Sequence, residues 1–388
     1  MKIEIRLKKV LNDHGLDRHG VVQKIATGAK VHRRTIGKLY NNTARNPSLR
    51  VLGLVCDWLI RNGVPAASLP HALIGCQPSG LWEAVAQPGL VTLYLGQYEE
   101  SADGAAVMLW LSRRDSTVAA EIVKELTTPT SRVRRRNPPR MSIQYVPFEF
   151  HRLASRINRK HVEGDIKRSE SFFRRMVDLR GRSSSIIIGS QRVNYLLEHF
   201  VADLFSCKPF EPVSKEIRVP FHLVYRDRDR AVPSCFGGFD KPLGMTGPRN
   251  PGLHYLHTDE DGKLQWVRCP WKSRHDDAGV VIICRYDRAV EMALFGFSGW
   301  ATESLGRQLL SPGGTSPFWP LTYRAHKGAE IGIYVCVLNC MEETLVDQGS
   351  AVVCRNIKII PLGESLLDQL IAYGPILHPS EFTAKKKP

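Results

Sequence analysis

No stretch of this 388-residue chain approaches the roughly 18 uninterrupted apolar residues of a membrane-crossing helix, so no spanning segment and no membrane partner is expected. The first residues lack the apolar h-region of a secretory leader, and the sequence reads as a cytoplasmic protein. Paired cysteines are absent too. Nine thiols, at Cys56, Cys76, Cys207, Cys235, Cys269, Cys284, Cys336, Cys340 and Cys354, never form Cys-x-x-Cys, which speaks for reduced side chains in apolar runs and against a metal centre. Cys336 and Cys340 would share one face of a strand at about 13 Å, too far apart for a ready zinc pair. Acid is scarce, with 38 Asp+Glu against 54 Lys+Arg and a net charge of +16. Neither G-x-G-x-x-G, a P-loop, G-x-S-x-G nor H-E-x-x-H occurs, so no cofactor and no diagnostic catalytic arrangement is expected.

What is there concentrates between Val21 and Leu59. Val22, Ile25 and Ala26 recur at i, i+3 and i+4, the spacing of a helix that buries one face. Gly28 stands where a tight bend is needed, and Val31 follows as an apolar plug. A second helix is expected from about His32 to Tyr40, burying Ile36 and Leu39 and turning His32, Arg33, Arg34, Lys38 and Asn41 outward. Gly37 lies inside that helix, where glycine costs about 1 kcal/mol relative to alanine, and reads as a close-packing or close-approach position. Asn46-Pro47-Ser48 is a helix start, followed by the apolar stripe Leu49, Leu52, Val55, Cys56 and Leu59.

The run Val31-His32-Arg33-Arg34-Thr35-Ile36, then Asn41-Asn42 and Asn46-Pro47-Ser48-Leu49, resembles the Cro/C1-type (XRE) helix-turn-helix family over about a sixth of the chain. Val22 stands where the family usually has glutamine, and Lys30 where it usually has the turn glycine. The resemblance implies that the second helix docks in the major groove of double-stranded DNA, where an arginine reaches guanine O6 and N7 together. It makes Arg33 and Arg34 the base readers and Lys38 a reader or phosphate contact, with His32 and Thr35 on the same helix. Asn41, Asn42, Thr43 and Arg45 would hold the phosphate backbone. It also implies a homodimer reading two half-sites about one helical turn apart.

Charge agrees with that placement. Residues 1–65 carry 13 Lys+Arg against 4 Asp+Glu, a net +9 that is more than half of the chain's excess. A second basic cluster, residues 131–140, reads either as a solvated linker or as further phosphate contacts.

The expected fold class is α plus α/β: an N-terminal all-helical helix-turn-helix domain over 1–65, then a large Rossmann-like α/β region. Residues 66–89 read as a linker, 90–180 as an α/β segment with the basic loop, 181–375 as a ligand-sensing domain and 376–388 as a basic tail. Two strand-turn-helix units stand out. Ser185 to Ile188 feeds the turn 189–194 and a helix from Tyr195 to Phe205. Val280 to Ile283 and Met292 to Phe295 read as strands, the second feeding the turn 296–299 and a helix from about Thr302 to Leu310. Backbone amides at such helix starts favour anions, so Gly189, Ser190, Gln191, Arg192, Asn194, Ser298, Gly299 and Thr302 are candidate contacts for a small anionic or nucleotide-like ligand. The alternative is that these glycines only make tight turns.

These features lead to the expectation of a DNA-binding transcription regulator whose α/β region senses a ligand or docks a partner. A nucleotide- or nucleoside-processing enzyme using Ser190, Glu198, Asp203, His275, Asp277 or Glu303, and a DNA-binding adaptor, are the competing readings.

Overall fold

The structure is a computed structural model that describes residues 2–5, 7–44, 48–64, 73–77, 80–102, 106–128, 138–149, 159–212, 215–227, 229, 232–269, 271–272, 275–310, 317–319, 321, 323–324, 329–346 and 349–377. Arg45, most of the second basic cluster and the lysine-rich tail lie outside them. The chain forms two compact units, residues 1–79 and 80–388.

The first unit holds β1 (Lys2–Ile5), α1 (Leu7–Asp13), α2 (Val21–Gly28), α3 (Arg33–Tyr40), α4 (Leu49–Arg61) and β2 (Ile74–Gln77). It is not all-helical: β1 and β2 pair antiparallel, with Lys2 opposite Gln77 and Ile5 opposite Ile74. Part of the expected linker is thus a strand of this unit. Its core gathers Leu7, Leu11, Val21, Ile25, Ile36, Leu39, Leu52, Val55 and Leu59. Two phases differ from the expectation. In α2 the buried face is Val21, Ile25 and Ala26, an i, i+4, i+5 stripe that leaves Val22 half-buried. In α4, Leu49 is 84% exposed because it occupies the first helical position, beyond the reach of the core.

The turn between α2 and α3 also differs. Gly28 ends α2, and its place is set by close packing, since a Cβ there would lie 2.5 Å from the Trp58 ring. The left-handed residue is Lys30, at φ 55, where the chain carries a side chain in a conformation that glycine adopts more easily.

The second unit contains α5 (Leu81–Ala86), β3 (Leu90–Ala102), β4 (Ala106–Leu111), α6 (Arg113–Thr127), β5 (Arg140–Glu149), α7 (Glu163–Asp178), β6 (Ser184–Ile188), α8 (Leu196–Leu204), β7 (Phe221–Val224), β8 (Gly237–Gly238), β9 (Gly252–Thr258), β10 (Leu264–Arg268), β11 (Asp277–Tyr286), β12 (Ala289–Gly296), α9 (Gly299–Leu310), β13 (Tyr323–Arg324), β14 (Glu330–Val346), β15 (Gly349–Pro361) and α10 (Glu364–Asp368). A mixed nine-stranded sheet runs through it. β5, β3, β6 and β12 are parallel neighbours in that order. β4, β11, β13, β14 and β15 join antiparallel. Strands from 90–180 and from 181–375 therefore share one sheet.

Buried strands in the middle of a sheet read as continuous apolar runs because both faces are covered. Ile187, Val280, Ile282 and Phe295 point into one core with α8 and the small sheet β10-β9-β7-β8. Ile186, Ile188, Val281 and Leu294 point into the other, with α5, α6 and α9. α6, which follows β3 and precedes β5, and α7, between β5 and β6, pack on opposite faces. β5 and β6 consequently flank β3 on its two sides, and the order reverses at the carboxyl ends of β3 and β6. In the middle of β14 the buried face passes from Cys336 and Leu338 to Met341 across Cys340, which is exposed at φ 56, so the two thiols do not share a face.

Candidate nucleic-acid interface

α3 is the element on which the outward basic residues meet. His32 is its N-cap: extended backbone at ψ 133 and a ring Nδ1 that accepts from the Arg34 amide at 3.2 Å. That hydrogen bond satisfies one of the orphan amides at the helix start. Ile36 and Leu39 anchor the inner face, each fully buried. The outer face then follows from helical spacing, with Arg33, Arg34, Gly37, Lys38 and Asn41 forming one stripe. His32, Arg33, Arg34, Lys38, Asn41 and Thr43 are exposed, and they line an open concavity together with Val22, Gly37 and Tyr40.

Arg33, Arg34 and Lys38 have no acidic partner among the described residues. Some cations of the second unit are matched, as Arg114 is with Glu303 at 2.5 Å and Arg180 with Glu291 at 2.9 Å. The α3 face is a cationic surface held on a buried apolar spine, its charge uncompensated among the described residues.

Other expected contacts have work inside the unit. Asn42 sits at φ 54, and its Oδ1 accepts from the Ile5 amide at 2.9 Å, which fastens β1 to the end of α3. The Thr43 hydroxyl donates to the Lys38 carbonyl at 3.3 Å, and Thr35 is half-buried. Tyr40, which the sequence reading did not single out, borders the concavity and donates to Asp17 at 2.9 Å.

In the second unit, β6 and β12 lie side by side with Ile188 opposite Leu294, so the two turns that follow them are adjacent. The side chains proposed as ligand contacts are largely engaged by other groups of the same unit. Arg192 donates to the Phe297 carbonyl at 2.8 Å and pairs with Asp229 at 3.1 Å. Asn194 donates to the carbonyls of Tyr94 and Ile188, both at 3.1 Å, and its Oδ1 accepts from the Leu196 amide at 3.2 Å. Thr302 accepts from the Gly296 amide at 3.0 Å, and the Ser298 hydroxyl donates to Asp277. Gly299 opens α9, and Gly189 takes φ 106 at the end of β6. Ser190 is half-buried. Gln191 is fully buried; its Oε1 accepts from the Tyr225 hydroxyl at 2.6 Å while its Nε2 meets no partner among the described residues.

The acids considered for catalysis do not converge. Glu198, on α8, accepts from the amides of Phe210 and Cys235 and from the Ser234 hydroxyl, while burial pushes its carboxyl up. Glu303, on α9 at the opposite face of the sheet, is held by Arg114 and by the Val352 amide at 3.0 Å. Asp203 and His275 are exposed. Two buried carboxyls do flank the paired turns. Burial raises Asp277 to about 6, against hydrogen bonds from Ser298 and the Ala278 amide. Burial likewise raises Asp115 to about 6, and its Oδ2 lies 2.8 Å from where a Cβ on Gly189 would stand. Asp115 was not singled out from the sequence, although Ser112-x-x-Asp115 is a capping-box pattern; the Ser112 hydroxyl accepts from the Asp115 amide at 3.4 Å.

Among the described residues, no group of three or more His, Cys, Asp or Glu forms a metal cluster, and no helix is long and apolar enough to cross a membrane. Compared with protein-family models, curated proteins and solved structures, the chain matches none.

Proposed function

We propose that this chain is a sequence-specific, dimeric DNA-binding transcription regulator of the cytoplasm, whose helix-turn-helix reads duplex DNA with α3. The single observation that carries the reading is the α3 stripe: Arg33, Arg34 and Lys38 exposed, without acidic partners among the described residues, on a helix whose other face is buried. An uncompensated cationic helix of this size suits the major groove, which admits one helix and offers guanine O6 and N7 to arginine. The second unit is proposed as a Rossmann-like sensing region for a small anionic or nucleotide-like ligand or a partner. The order reversal at the carboxyl ends of β3 and β6 and the paired turns 189–194 and 296–299 support it. A ligand that prefers one arrangement of the paired DNA-reading units would change operator affinity through its differential binding, typically by about 1 to 3 kcal/mol.

Equilibrium binding to duplexes enriched from a randomised pool, across a salt series, tests the DNA reading. Arg33→Ala with Arg34→Ala is expected to lose about 1 to 3 kcal/mol for each bidentate base contact removed. Equal binding of the native and substituted chains to every duplex would contradict it.

A further inference from the structure

Among the described residues, nothing accounts for a glycine at position 37. It sits in the interior of α3, where glycine lowers the folding equilibrium roughly fivefold relative to alanine. Its backbone is not in the left-handed region, so no turn requires it. A Cβ built on it meets no atom of the described residues within 4 Å, so no neighbouring helix among them requires it either. Its place on the helix is informative: it falls four residues after Arg33, three after Arg34 and four before Asn41, at the centre of the cationic stripe and in the lining of the concavity.

We infer that Gly37 is the point of closest approach between α3 and DNA, where the edge of a base pair in the major groove lies against bare helix backbone. The inference rests on the DNA-binding reading above and adds a positioning role to it. Without a Cβ at the centre of the stripe, the helix axis sinks deeper by about the thickness of a methyl group, the use of glycine where backbone meets a ligand. That depth sets the reach of Arg33 and Arg34 to the base edges. A methyl at position 37 lifts the helix, so the arginines keep their charge and lose their geometry. Sequence-specific affinity then falls, whereas the salt dependence, which counts neutralised phosphates, stays.

Gly53 is the internal control. It is exposed on α4, its Cβ position is equally open, and it does not line the concavity. The experiment uses the full chain and the duplex it enriches from a randomised pool about 30 base pairs long, enough for two half-sites one turn apart. Native protein, Gly37→Ala, Gly53→Ala and the double Arg33→Ala, Arg34→Ala variant are compared on that duplex and on an unrelated one. Amide exchange of α3 and α4 serves as the stability readout. Both alanine variants at the glycines are expected to slow exchange. Gly37→Ala alone is expected to lose about tenfold or more in affinity for the enriched duplex, or 1.4 kcal/mol, with an unchanged salt slope. Native-like binding by Gly37→Ala, with binding lost in the arginine variant, overturns the inference and leaves the DNA reading standing. Equal losses in Gly37→Ala and Gly53→Ala overturn it as well. Failure of the native chain to enrich any duplex overturns both.

Discussion

Asp115 shows how much a single residue can carry. The residue is 4% exposed at the start of α6, beside Gly189, and burial lifts its pKa to about 6. The folded chain therefore holds this proton to a higher pH than the unfolded chain, whose ordinary value is 3.8. The group's stability contribution is complete below about pH 4 and is lost as pH rises through about 6. His199 and His222, each lowered to about 4 by burial, act in the opposite direction over the same window, so the native profile alone is ambiguous. The difference between Asp115→Asn and the native chain isolates the carboxyl. The variant's unfolding midpoint should rise relative to the native one from pH 4 to about 7 and then level off; a constant difference would show that Asp115 does not ionise on this path. At this scale the sequence was uneven. Ile36, Leu39 and the Ser48 cap, which accepts from the Val51 amide at 3.2 Å, follow from spacing and residue type. The burial of Asp115 does not, since Gly189 comes to it from the turn after β6, more than 60 positions away.

Among elements, the strands β6, β11 and β12 and the helices α6, α8 and α9 were legible because apolar runs and 3.6-residue stripes are local signals. The pairing of strands was not. β3 is long enough to have β6 beside its first half and β4 beside its second, with β5 along its other edge, and no periodicity within one strand specifies its partners. Helix phase was legible to within a residue, as the exchange of Val22 for Val21 shows. The turn after β6 was seen as a ligand loop, but not its fit over the middle of β3, where Asn194 donates to the Tyr94 carbonyl and Gly96 faces Val193. A Cβ on Gly96 would come within 1.7 Å of the Val193 carbonyl oxygen. Backbone on both sides has little room to yield, so Gly96→Ala should destabilise the second unit by about 3 kcal/mol, the upper end of overpacking costs. Denaturant unfolding monitors this directly, and a loss below about 0.5 kcal/mol would mean that the turn is free to move off the strand.

At the scale of the whole molecule, composition already separated a basic first part from a larger apolar remainder, and the two compact units divide at residue 79. The shared sheet across 90–180 and 181–375 was out of reach of sequence patterns, because β6 inserts between strands that precede and follow it by about a hundred residues. The candidate DNA face was the more legible part. Its residues lie on one short helix, where spacing alone decides orientation, whereas the paired turns of the second unit owe their environment to long-range contacts. The central claim is that α3 reads guanines in the major groove, and guanine N7 methylation protection of the enriched duplex by the full chain tests it most directly. The account predicts protected guanines at two symmetric positions about one helical turn apart, with protection lost in the Arg33→Ala, Arg34→Ala chain. Guanines that stay fully reactive while the native chain is bound would contradict it.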